Sequence, residues 1–266
     1  MQHTELWKTK VIKNKGCRGR IPRWFQGGAQ LALAGVEGGL SPHSEARMRL
    51  FQSDLGDVNM KACIISNGII QDYTFYRPLI AQVDFIICAD GGLSHAKKLG
   101  VTPDILIGDL DSVPPNLSKQ GITVAQYARE KDETDTQLAV AYVLEKGYTD
   151  IHMIGSLGGR FDHAFANVAL LKMILDKGAK GCIIDEKNEI YLIDKNIQIQ
   201  GKVGDTVSLL PISEKVEGIA TQGLKYALKG AQMVFGIPYG VSNVFTQSQA
   251  SVSISKGLLL VMKVRD

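Results

Sequence analysis

Most of this chain has no tryptophan. Only Trp7 and Trp24 occur in 266 residues, and both precede Met60. Cysteine is scarce too: Cys17, Cys63, Cys88 and Cys182 form no CxxC pair. A zinc ribbon and a disulfide-stapled scaffold are therefore disfavoured. Cys63, Cys88 and Cys182 sit beside Ile or Ala in apolar runs and read as buried free thiols, so a reducing, cytoplasmic setting is expected. No apolar stretch approaches the ~18–20 residues of a membrane span. No GxxxxGK[ST] phosphate loop is present, which excludes a P-loop fold, and no GxGxxG follows the first strand, which weakens a Rossmann reading. A charge excess is missing from most of the chain as well. The formal net charge is +3, but residues 1–59 hold nine basic and five acidic side chains, leaving 21 basic and 22 acidic in residues 60–266. A nucleic-acid-binding body is disfavoured.

What is present is ordinary globular composition, 45% hydrophobic and 21% charged. The chain divides near Met60. Residues 1–59 carry both tryptophans, seven basic side chains in the first 25 residues, and a Gly-rich stretch from Gly27 to Gly39. The apolar run Leu31–Val36 is shorter than a secretory h-region. A mobile basic extension is expected, with the folded body starting at Met60.

From Met60 the pattern alternates. Ala62–Ser66, Phe85–Ala89, Ile105–Ile107, Ile122–Ala125, Ile151–Ile154 and Gly181–Asp185 read as strands. Leu93–Leu99, Thr134–Lys146 and His163–Lys177 read as helices, each followed by glycine. Continuous apolar strands alternating with helices predict an α/β fold with a mostly parallel sheet covered on both faces, over residues 60–190. After about residue 187 the helices stop. Seven short strand-like segments punctuated by glycine predict a smaller all-β sandwich over 191–266.

The acids of the α/β half sit at predicted strand ends. Asp90-Gly91-Gly92 follows FIICA, and Gly108-Asp109-Leu110-Asp111-Ser112 follows ILI. Lys131-Asp132-Glu133-Thr134-Asp135 opens the long helix, and Gly155-Ser156-Leu157-Gly158-Gly159-Arg160-Phe161-Asp162-His163 joins IHMI to the next one. In open α/β sheets, ligands bind beyond the carboxyl ends of the strands. In an extended segment Asp109 and Asp111 would share a face, and a hard cation such as Mg²⁺ would relieve their repulsion. The two glycines permit close backbone approach, the following helix N-terminus suits phosphate, and Arg160 adds a forked donor. Asp132 and Asp162 are candidate helix caps. Lys131 and His163 are candidate phosphate donors, though each type is more often structural.

In this order and spacing, ADGG, GDLDS, KDETD and GGRFDH resemble the thiamine pyrophosphokinase family. GDTVSLLPIS (204–213), TQGLKYAL (221–228) and GVSNVF (240–245) resemble its C-terminal blocks, so the resemblance spans residues 60–266. It implies a homodimer that uses ATP and Mg²⁺ to transfer a pyrophosphoryl group to thiamine, releasing AMP. It implies metal binding and catalysis by Asp109, Asp111 and Asp135, with Arg160 acting on the phosphates. Nucleotide contacts are implied for Asp90, Gly91, Lys131, Asp132, Thr134, Gly159, Arg160, Asp162, His163 and Asn167. Ser242 and Asn243 would approach thiamine near the dimer interface. Family blocks often carry an aromatic that stacks on the vitamin; with no tryptophan in the body, Phe245 or a residue elsewhere would take that place. Two other readings stay open here: a diphosphokinase for another alcohol, such as a hydroxymethylpterin, and a non-catalytic nucleotide-binding regulator.

Overall fold

The computed structural model describes residues 60–113 and 122–265; the basic extension expected over 1–59 lies outside them. Six strands run parallel: β1 (Lys61–Ile65), β2 (Phe85–Ala89), β3 (Ile105–Gly108), β4 (Thr123–Gln126), β5 (Asp150–Ile154) and β6 (Lys180–Ile184). Four helices accompany them: α1 (Tyr73–Ile80), α2 (Gly92–Leu99), α3 (Asp135–Glu145) and α4 (Phe161–Asp176). β1 shows why helices cover both faces. Ala62 and Ile64 point into one core with residues of α3 and α4, while Cys63 and Ile65 point into a second with residues of α1 and α2. Cys63, Cys88 and Cys182 are free and buried, as expected.

The remaining strands are β7 (Asn188–Ile193), β8 (Asn196–Gln200), β9 (Thr206–Pro211), β10 (Lys215–Gln222), β11 (Ala231–Val234), β12 (Gly240–Val244), β13 (Gln249–Ser253) and β14 (Leu259–Val264). They do not all form a separate sheet. A tight turn, in which Asp185 Oδ1 accepts from the Lys187 and Asn188 amides, folds β7 back antiparallel onto β6. The main sheet then continues, in the order β12-β9-β14-β7-β6-β5-β1-β2-β3-β4. A second sheet, β11-β10-β13-β8, closes the sandwich. Its Val216, Ile219 and Val252 share a core with Val207, Leu209 and Val261 of the main sheet. The α/β half and the sandwich thus share one ten-stranded sheet.

Two elements have no counterpart in the sequence reading. One is α1, which contains Pro78 and is capped by Asp72 Oδ1 accepting from the Thr74 amide. The other is the four-residue β11.

Candidate active site

The parallel strands run outward from β1 to β4, and the chain then returns to place β5 on the other side of β1. That reversal opens a crevice at the carboxyl ends of β1 and β5. It holds about 650 Å³, and its walls come from the loops after β1, β2, β3 and β5 and the segment before α3.

Three carboxylates meet there. Asp90, Asp109 and Asp135 each bring an oxygen within 4.8 Å of the others. Asp90 lies at the end of β2 with a left-handed backbone (φ 46°), a costly conformation for a residue other than glycine. Gly108 leaves room for the group, since a Cβ there would lie 3.0 Å from Asp90 Cβ and 3.2 Å from Asp135 Cγ. Asp90 Oδ1 is buried with no hydrogen-bond partner, a costly state for a carboxylate in the absence of a cation. Asp135 Oδ1 lies 2.9 Å from Lys131 Nζ, close but not aligned for a hydrogen bond. Burial holds the Asp135 carboxyl above the usual carboxylate range; Lys131 opposes that shift, and Asp90 and Asp109 add to it. Asp109 is held low, mainly by the Asp111 amide it accepts from. An oxygen-only set, half-buried at Asp109 and Asp135 and buried at Asp90 with its orphan acceptor, fits a hard divalent cation.

Asp111 stands apart from this trio. Leu110 is left-handed (φ 68°), so Asp109-Leu110-Asp111 is a turn and not the extended segment that would align both carboxylates. Asp111 Oδ2 instead lies 3.4 Å from the Arg129 guanidinium. The caps also differ from expectation. Thr134, not Asp132, caps α3, accepting from the Gln137 amide, and Asp132 is exposed and outside the crevice lining. Asp162 lies inside the first turn of α4, where its carboxylate takes two bonds from Arg160 (3.1 and 2.5 Å) and one from the His163 amide. This pairing holds Asp162 below the usual carboxylate range.

The opposite wall is a glycine lip. Gly158 (φ 81°) and Gly159 (φ 73°) are both left-handed, which pairs of larger residues rarely adopt. They lead into α4, whose N-cap residue Arg160 makes no side-chain cap, so the Phe161 and Asp162 amides are available to an anion while the His163 amide is held by Asp162. Lys131, Thr134, Gly159, Arg160, His163 and Asn167 line the crevice as expected, while Gly91 lies behind it against Asn67. Asn167 donates from Nδ2 to Ser156 O and so braces the lip.

Ser66, Asn67, Gly68, Arg129 and Thr136 also line the crevice and were not singled out from sequence. Ser-Asn-Gly directly after β1 is a turn signature, and the strand-end rule applied there would have found it. Beneath the lip, the Ser66 hydroxyl lies 3.1 Å from that of Thr136 and 3.2 Å from that of Ser156, tying β1, α3 and β5 together.

Ser242 and Asn243 lie on β12, outside this lining. Ser242 is exposed and left-handed (φ 61°). Asn243 is buried, with Oδ1 accepting from the Tyr226 amide and Nδ2 donating to Tyr226 O. Phe245 is 1% exposed in the sandwich core, against the Cα of Gly201, and presents no face to a ligand. The expectation that it stacks on a vitamin is corrected by that burial.

Both halves of the described chain match known proteins. Residues 76–184 match the thiamin pyrophosphokinase catalytic domain, and residues 192–259 match the thiamin pyrophosphokinase vitamin B1 binding domain. A thiamine pyrophosphokinase of Bacillus subtilis is 29% identical over 212 residues, covering 76% of this chain and 98% of the relative. Thiamine pyrophosphokinase 3 of Oryza sativa is 26% identical over 208 residues, covering 67% and 77%. The crystal structure of the Bacillus subtilis protein superposes with a TM-score of 0.69 at 27% identity, covering 77% of this chain and 99% of that one. Two consecutive domain models, taken in order, cover most of the crevice and most of the sandwich, and the chain belongs to the thiamin pyrophosphokinase family.

Proposed function

We propose that this chain is an ATP:thiamine diphosphotransferase, converting ATP and thiamine to AMP and thiamine diphosphate. The observation that carries this reading is the carboxylate trio facing a glycine lip and helix N-terminus across one crevice. The thiamine hydroxyl oxygen would bond to the β-phosphorus as the bridge to the α-phosphate breaks. Such a transfer needs positioning and charge stabilisation more than covalent chemistry. A bound Mg²⁺, held by Asp90, Asp109 and Asp135, would neutralise phosphate charge. Asp111 belongs to the same acidic mouth and can join the set by leaving Arg129.

The chain's own groups divide the remaining work. Amides of Gly159 and the start of α4 bind phosphate oxygens, and Arg160 joins them by exchanging Asp162 for phosphate. Lys131 balances Asp135. Asp135 or Asp111, both on the crevice lining, is the acid that would accept the alcohol proton. Asn243 orders the Tyr226 loop, and Ser242 offers its exposed hydroxyl to thiamine. Exposed Tyr226, Phe235, Ile237, Tyr239 and Val241, close in sequence to β11 and β12, suit burial against a second copy of the chain, and this reading includes a homodimer. Three buried free thiols suit a cytoplasmic setting.

The test is a reaction with ATP, Mg²⁺ and a panel of alcohols, resolving AMP from ADP. AMP formed with thiamine alone supports the proposal. Formation with a hydroxymethylpterin instead, or tight ATP binding with no AMP, refutes it.

A further inference from the structure

The proposed chemistry leaves one buried polar group without a part. His95 on α2 is 9% exposed and lies outside the crevice lining, yet its imidazole reaches the crevice wall. Nε2 lies 2.8 Å from Gly68 O, and Nδ1 lies 2.8 Å from the Tyr73 hydroxyl at the start of α1. A carbonyl only accepts, so Nε2 carries the proton; the neutral ring's Nδ1 then accepts from Tyr73. The Tyr73 ring packs 5.9 Å from the imidazole, and Lys98 Nζ lies 5.5 Å from the Tyr73 ring centroid. Burial lowers the His95 pKa from the usual histidine value; the bond to Gly68 O opposes that shift and Lys98 adds to it.

The bond to Gly68 has consequences on the other side of the loop. Gly68 N donates to Gly155 O at 2.6 Å, and Ile69 N donates to Leu157 O at 3.3 Å. A Cβ on Gly68 would lie 2.4 Å from Gly155 O, and one on Gly158 would lie 3.1 Å from Ile69 Cβ. The β1 loop is therefore packed tightly along the strand-exit segment that becomes the glycine lip. His95 clamps its far side.

We infer that His95 is a positioning residue: through Tyr73 Oη–H to Nδ1 and Nε2–H to Gly68 O, it holds the Ser66–Ile69 loop and, through that loop, the 155–159 lip in the shape that receives nucleotide phosphate. The inference rests on the proposed ATP-dependent reading for its ligand but not for its geometry.

Three variants of the full chain test it: His95→Leu, His95→Gln and Tyr73→Phe. Glutamine keeps a donor for Gly68 O; leucine keeps only bulk. Amide hydrogen exchange over 66–69 and 155–159 is followed without ligand, and steady-state kinetics with ATP and thiamine follow. Leucine should speed exchange in both segments and raise the KM for ATP about tenfold with kcat changed less than about threefold, the size expected from a lost ground-state positioning bond. Glutamine should restore both readouts most of the way, and Tyr73→Phe should fall between. In ¹⁵N-histidine spectra of the wild type, His95 should be the neutral Nε2–H form. Unchanged exchange in 155–159 with leucine overturns the inference, and so does glutamine behaving as leucine. If the wild type forms no AMP, the proposed function fails, and exchange and the tautomer still decide this one.

Discussion

Gly92→Ala is the sharpest test of how the crevice is built. Gly92 opens α2, two residues after Asp90. A Cβ there would lie 2.0 Å from Ile65 O and 2.8 Å from Ile65 C, at the end of β1. Ordinary contact begins at 3.4 Å, so strand and helix must part by about 1.4 Å at this point. Neither side yields easily: the obstacle is backbone, and Leu93, Ala96 and Leu99 seat α2 in a buried core. Overpacking against backbone sits at the upper end of the usual range, about 3 kcal/mol, offset by about 0.5–1 kcal/mol from alanine's better helix propensity. For a body of this size, a net loss of about 2–3 kcal/mol lowers the melting temperature by about 5–10 °C. The displacement is transmitted to Asp90, so Mg²⁺ affinity should fall as well. Calorimetry and Mg²⁺ titration of the variant measure both effects. Gly178→Ala is the control, at φ 75° with nothing within 4 Å, and should cost only about 1 kcal/mol with the metal site untouched. A Gly92→Ala protein that melts within about 1 °C of wild type, with unchanged Mg²⁺ affinity, would refute the reasoning.

Other outcomes follow from the same geometry. Asp90→Asn should weaken Mg²⁺ binding about tenfold or more, yet raise the melting temperature in metal-free buffer, because it removes one of three mutually repelling carboxylates; Asp111→Asn, already paired with Arg129, should weaken Mg²⁺ less in the same titration. Asn243→Ala leaves the Tyr226 backbone without its partners and should cost about 2–3 kcal/mol by chemical denaturation, with a raised KM for thiamine. Glu186 is penalised by burial, but amides of Asp72 and Gln71 and the Tyr76 hydroxyl outweigh that and hold it below the usual range. A lowered carboxyl stabilises at pH above its unfolded value and loses that contribution as pH falls through its folded value. Glu186→Gln should therefore be less stable than wild type near pH 7, by about 1 kcal/mol after solvent screening, with the gap closing as pH falls through the lowered folded-state range of Glu186.

Much of this was legible in the chain. Apolar runs such as FIICA and ILIG declared buried parallel strands because both faces are covered, and period alone located α3 and α4. Strand-end acids and adjacent glycines pointed to the crevice because ligand sites in such sheets form at loops after strands. α1 was hidden by Pro78 and its eight-residue length, and β11 by its four residues and the glycines around it. The extended geometry expected of Asp109-Leu110-Asp111 failed because a left-handed Leu110 has no mark in the sequence; leucine rarely adopts that conformation.

Composition and order therefore determined the class of fold, the acidic and glycine-rich equipment of the site, and the family. Only the tertiary structure decided that Asp90 completes the carboxylate trio, that Asp111 turns to Arg129, that Phe245 belongs to the core, and that His95 braces the lip from behind. Each of those depends on distances between strands far apart in the chain. Local patterns carry the periodicity of an element, but strand pairing and the switch point between β1 and β5 set which ends meet.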